Sequence, residues 1–161
     1  MTFTEFGSPD DPMLQAWARF RSGFAGESGG MHFTVRVPTA KRESGLWRLI
    51  ATNNRELGRS FLLYSRFDMA RSHVEELQLD AVGLSIEHVM GRRRGSHGWV
   101  VVSRGAIVMT CSRWYSSPST SMASARGALQ AFRTAALAAP ERNDSSGRRR
   151  RTGVSAGADV L

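Results

Sequence analysis

The chain has 161 residues, of which 41% are hydrophobic and 22% charged, with a formal net charge of +8. That length and balance make one ordinary domain and exclude wholesale disorder. No apolar run reaches the roughly 18 residues of a membrane helix, and the single cysteine, Cys111, excludes an internal disulfide.

From the start, MTFTEFGSPDDP lacks a basic segment followed by an apolar one, so no secretory signal is expected, and the lone cysteine fits a reducing cytoplasm. Residues 1–30 read as an N-terminal extension carrying a short amphipathic helix. Asp10 or Asp11 would cap it, Pro12 would open it, and Leu14, Trp17, Phe20 and Phe24 would line one side. That stripe either lies on the domain's own surface or docks a partner or second subunit. Gly26, Gly29 and Gly30 then loosen the chain before MHFTVRV at 31–37, whose period of two is that of a strand.

Next comes internal self-similarity. LWRLIAT at 46–52 is answered by GWVVVSR at 98–104, and Tyr64-Ser65 by Tyr115-Ser116. Asn53-Asn54 and Gly105 supply turn chemistry that tolerates positive φ, so each copy reads as a hairpin. LSIEHVM at 84–90 is the second copy's leading strand. After each tyrosine a helical pattern follows. Phe67, Ala70, Val74 and Leu77 share a face in the first, with Ser65 and Asp68 as a capping box. Met122, Ala125, Leu129 and Phe132 do so in the second, offset by 55 after a longer SSPST lead-in, with Ser117 as cap and Pro118 at the first helical position. The units span 31–79 and 84–137 of a domain at 31–139. One unit of about 50 residues is near the lower limit for burying a core, whereas two sharing a sheet are comfortable. The expectation is an α+β fold: a tandem βββα repeat forming one antiparallel sheet of about six strands, with two helices on one face.

This order of motifs resembles the YegP-like family of small bacterial tandem-repeat proteins. The residues that carry it are Trp47-Arg48-Leu49, Asn53-Asn54 and Tyr64-Ser65, then Trp99, Gly105 and Tyr115-Ser116-Ser117. The resemblance covers about 31–133 and implies the fold; it brings no activity, substrate or catalytic residue. The chain departs from the family in Asn-Asn for Asn-Gly and in its two added ends.

Charge is placed unevenly. Of the 22 basic residues only Lys41 is lysine. Arg92, Arg93 and Arg94 cluster inside GRRRGSHG, and Arg148, Arg149, Arg150 and Arg151 lie in residues 140–161, which read as a disordered basic tail. Such clusters suit a polyanion, because each neutralised phosphate releases a counterion, or else are solvated loops. Catalytic readings find no support: phosphate-loop, dinucleotide and nucleophile-elbow motifs are absent, and His73, Glu75, Glu76 and His88 do not make a ligand set. Cys111, inside a strand pattern, reads as a small core or edge residue. No catalytic, cofactor or metal residue is assigned.

If Trp47, Leu49 and Ala51 face the helices, then Arg48, Ile50, Thr52, Val100, Val102 and Arg104 form an open face of mixed apolar and basic character. The leading functional expectation is a non-enzymatic binding or assembly module, with a homo-oligomer as one form of assembly. The alternatives are sequence-tolerant nucleic-acid binding through the arginine clusters and an enzyme with an unrecognised site.

Overall fold

The protein's structure is a computed structural model that describes residues 1–23, 44–139 and 141–142. Its strands are β1 (Thr2–Phe6), β2 (Ser44–Ile50), β3 (Glu56–Ser60), β4 (Leu84–Met90), β5 (His97–Ser103), β6 (Ala106–Thr110) and the two-residue β7 (Glu141–Arg142). The helices are α1 (Pro12–Ser22), α2 (Phe67–Leu79) and α3 (Pro118–Phe132). The strands form one sheet in the order β4-β5-β6-β3-β2-β1-β7, antiparallel throughout except that β7 runs parallel to β1. The expected α+β class with one sheet of six antiparallel strands is what forms. No helix among the described residues is long and apolar enough to cross a membrane.

Local chemistry fixes the elements. Asp11 caps α1 by accepting from the amides of Met13 and Leu14, with Pro12 in the first turn. Ser117 caps α3 through its hydroxyl to the Thr120 amide, followed by Pro118. For α2 the anticipated capping box is not used. Arg66 stands at the cap without a side-chain bond, and Ser65 donates instead to the Met69 sulfur. The β5–β6 hairpin closes through Arg104 and Gly105, both with positive φ, where only a two-residue mirror-type turn matches the strand twist. Its counterpart between β2 and β3 uses Asn54 at φ 60°.

Corresponding features recur along the chain. Gly45 bridges Tyr64 and His97 bridges Tyr115. Register shifts fall at Leu49/Ile50 in β2 and at Val101/Val102 in β5. Each tyrosine hydroxyl bonds a helical residue nine positions on: Tyr64 to His73 Nδ1 at 2.8 Å, Tyr115 to Ser124 at 2.5 Å. Helices α2 and α3 start at Phe67 and Pro118, 51 residues apart, as the two tyrosines are. The anticipated stripe, offset by 55, is turned inward: Ala125, Leu129 and Phe132 are buried like Ala70, Val74 and Leu77, and Met122 is part-buried like Phe67. Ser121, Ala125 and Ala128 occupy the buried positions matching Ala70, Val74 and Leu77.

The leading strand anticipated at 31–37 lies outside the described residues, and the position beside β2 is filled by β1. Phe3 pairs with Trp47 and Thr4 with Leu46, so residues 2–6 belong to the sheet and are no extension. The main core is one cluster in which Trp47 and Trp99, both 0% exposed, sit under α2 and α3. These Trp side chains reach across the two halves. Trp47 stacks obliquely on Phe132 at 5.4 Å, and a Cβ on Gly58 would meet the Trp99 ring at 2.8 Å.

The second face is not open. Helix α1 covers part of it, with Leu14 and Trp17 packed on Phe6 and Leu46 in a smaller cluster. The Trp17 indole donates to the Ser60 carbonyl at 3.1 Å. At the far end of α1, Phe20 packs on Trp114 at 4.9 Å, and Trp114 in turn lies over Gly91 and Gly98. Val100 and Val102, expected on an open face, are buried at 0% and 5% exposure. Both belong to the main core cluster with Trp99, Val101 and Phe132, while α1 covers the sheet at Phe6 and Leu46.

Candidate functional site

The described residues carry two regions with unspent chemistry, one at an edge of the sheet and one beside α1. Among the described residues strand β4 ends the sheet, and one side of its backbone has no strand partner there. Its ends differ in charge. At the leading end Leu79 is 91% and Val82 100% exposed, beside Glu76 and Asp80, which both pair with Arg104 at 3.3 and 3.2 Å. At the trailing end Met90 is half-exposed, and the loop to β5 presents Arg92, Arg93 and Arg94. That loop is tightly built: Gly91 and Ser96 share a backbone bond, Ser96 also donates to the Arg93 carbonyl, and Gly95 takes φ 76°. None of the three guanidinium groups makes an ion pair among the described residues.

His88 and His97 stack beside this loop, with Nε2 and Nδ1 3.1 Å apart. Burial and the neighbouring His97 hold His88 below the ordinary imidazole range. Among the described residues no group of three or more His, Cys, Asp or Glu could hold a metal ion.

Of the residues singled out for a partner, Leu14 and Trp17 are buried against the chain's own sheet at 7% and 2% exposure, and Phe20 is half-buried on Trp114. These three are engaged within the chain and do not form a free docking stripe; Phe24 lies outside the described residues. Arg148, Arg149, Arg150 and Arg151 also lie outside them. Cys111 is fully buried, its sulfur accepting from the Trp99 amide at 3.4 Å, and burial pushes its thiol up to about 11. It has no nucleophile's environment.

Beside α1 lies a charged group that sequence reading left unassigned. Glu56 accepts from Arg59 Nε at 2.5 Å and stands 3.8 Å from Arg48, with the three side chains between 14% and 26% exposed. Arg21 projects from α1 over the rings of Phe61 and Trp17, at 3.9 and 4.8 Å. The alternation with Trp47 and Leu49 had placed Arg48 on the opposite face, but nothing in the sequence pointed to Arg59 and Glu56 as its neighbours, since β3 joins β2 only by pairing. No family model, curated protein or solved structure matches the chain.

Proposed function

We propose that the protein is a non-enzymatic assembly module whose contact element is the free edge of β4, pairing with β4 of a second copy. The observation that carries this reading is the opposite character of the two ends of that strand. An exposed seven-residue edge is a template for another strand, and proteins that avoid such pairing place Lys, Pro or a bulge there. None of these occurs in Leu84–Met90. A two-fold axis through Ile86 sets Val82 of one copy beside Met90 of the other and Ser85 opposite Glu87. The same axis brings each copy's Glu76 and Asp80 toward the other's Arg92–Arg94, so apolar and charged groups are complementary twice over.

The test is sedimentation equilibrium of the full chain over rising concentration. A dimer is expected for the natural sequence and a monomer of unchanged melting temperature for Val82→Lys, which removes an apolar contact and sets a cation against Arg92. A monomer at every concentration, or a Val82→Lys chain that still dimerises, would sink the reading.

A second reading, sequence-tolerant nucleic-acid binding at Arg92–Arg94, is favoured by their lack of ion pairs among the described residues. It expects replacement of all three by Ser to lower the slope of log affinity against log salt by about 3. A slope unchanged from the natural sequence removes it. The YegP-like resemblance stands beside both readings as a proposal, supported by the recurring bridges, register shifts and tyrosine contacts.

A further inference from the structure

Two of the chain's four histidines meet at the end of the β4–β5 hairpin. His88 Nε2 and His97 Nδ1 stand 3.1 Å apart, while the ring centres are 5.2 Å apart. The centres exceed the nitrogens in separation by almost two ring radii, so each ring turns a nitrogen toward the other. Two neutral imidazoles so placed share one proton, which one nitrogen donates and the other accepts.

Strand register brings a third donor alongside. Met90 pairs with His97, and His88 with Trp99 two residues on. Residues two apart share a face, and so do opposed residues of an antiparallel pair. Met90, His88 and His97 therefore project from one face of the hairpin, Met90 opposite His97 and His88 diagonal to it. Such neighbours have Cβ atoms about 5 Å and about 7–8 Å apart, within reach of long side chains. All three are open to solvent: Met90 is 51% exposed, His88 is exposed and His97 is half-buried.

The kind of donor selects the ligand. Glu87 points to the opposite face by the same alternation, and no third His, Cys, Asp or Glu joins the pair among the described residues. The adjoining Arg92, Arg93 and Arg94 offer no lone pair, because guanidinium groups stay protonated. Hard ions that need carboxylates are thereby disfavoured, whereas imidazole and thioether suit copper, the tightest binder of the first-row divalent ions. Metal–imidazole bonds of about 2.0–2.1 Å put two nitrogens about 2.9–3.4 Å apart for ligand angles between square and tetrahedral. The observed 3.1 Å lies in that range.

We propose that His88 Nε2 and His97 Nδ1 chelate a copper ion on this face, with the Met90 thioether as a weaker third donor and water filling the remaining positions. A turn of the exposed His88 side chain brings both lone pairs onto the ion. The proton between the rings passes through water to the far nitrogen of its own ring, so both imidazoles stay neutral and the step needs no oxidant or reductant. The chelate uses side chains on a face of β4 and not its backbone edge, so it is independent of the pairing proposed above.

The experiment is titration of the full chain with copper(II) chloride in a non-coordinating buffer, followed by calorimetry and by electron paramagnetic resonance. Saturable binding of one equivalent is expected, with a spectrum split by two imidazole nitrogens, and zinc chloride should bind more weakly. His88→Asn and His97→Asn should each weaken binding about tenfold or more, since loss of even an outer partner of a metal site costs that much. Met90→Leu should weaken it less than either, and His32→Asn and His73→Gln should leave it unchanged. Absence of saturable copper binding overturns the site, as does affinity retained by the folded double variant of His88 and His97. A spectrum of the natural chain with fewer than two imidazole nitrogens overturns it as well, and decides the matter even where a variant fails to fold.

Discussion

Trp47 and Trp99 occupy matching places but differ in one hydrogen bond. The Trp47 indole donates to the Tyr64 hydroxyl at 3.3 Å, whereas Trp99 Nε1 has no partner. Exchange of either for Phe removes a similar volume, so the difference between the two variants isolates the bond. Trp47→Phe is expected to cost about 1 kcal/mol more than Trp99→Phe in urea unfolding; equal costs would show that the bond contributes nothing. The chain of contacts continues to His73, whose Nδ1 accepts from Tyr64 when the ring is neutral. Burial holds His73 below the ordinary range, with Glu76 opposing in part, and burial raises the Tyr64 hydroxyl to about 12. As pH falls through about 6.5 the unfolded chain takes the proton first, so stability declines below that point until His73 protonates in the fold as well. His73→Gln, which keeps an acceptor, should flatten this decline in urea midpoints measured against pH. An unchanged slope would place the acid sensitivity elsewhere. None of this pairing was legible beforehand, because the partner of His73 comes from before the helix.

Among the elements, β2 shows how close approach constrains sequence. A Cβ on Gly45 would lie 2.4 Å from the Phe3 ring, which packs over it from β1. Gly45→Ala must displace Phe3 or part β1 from β2, and is expected to cost about 1–3 kcal/mol, as overpacking does. A neutral outcome in thermal melts would mean that β1 is not seated there. The helices were legible to different degrees. Asp11-Pro12 and Ser117-Pro118 announced their caps, because an N-cap side chain and a following proline act within one turn. Helix α2 begins without such a cap. Strand β1 was missed although TFTEF alternates, since its partner β2 follows some 40 residues later and only pairing gives five residues a reason to be extended.

For the whole molecule, the central fact is that each half places its tryptophan against the other. Trp99 lies on Gly58 of β3 and Trp47 on Phe132 of α3. Trp99→Ala is therefore expected to cost about 3–5 kcal/mol and to lower one shared unfolding transition. Separate transitions for the two halves, or a near-neutral change, would contradict the common core. By itself the sequence determined the class of fold, the hairpins and two of the three caps, because periodicity and turn chemistry act over a few residues. Only the tertiary structure decided that β1 completes the sheet and that α1 covers part of its second face. The same holds for Arg21, Arg48 and Arg59 sharing one side of the sheet. Those are long-range choices, made by which apolar surface is left uncovered once the neighbouring strands have paired.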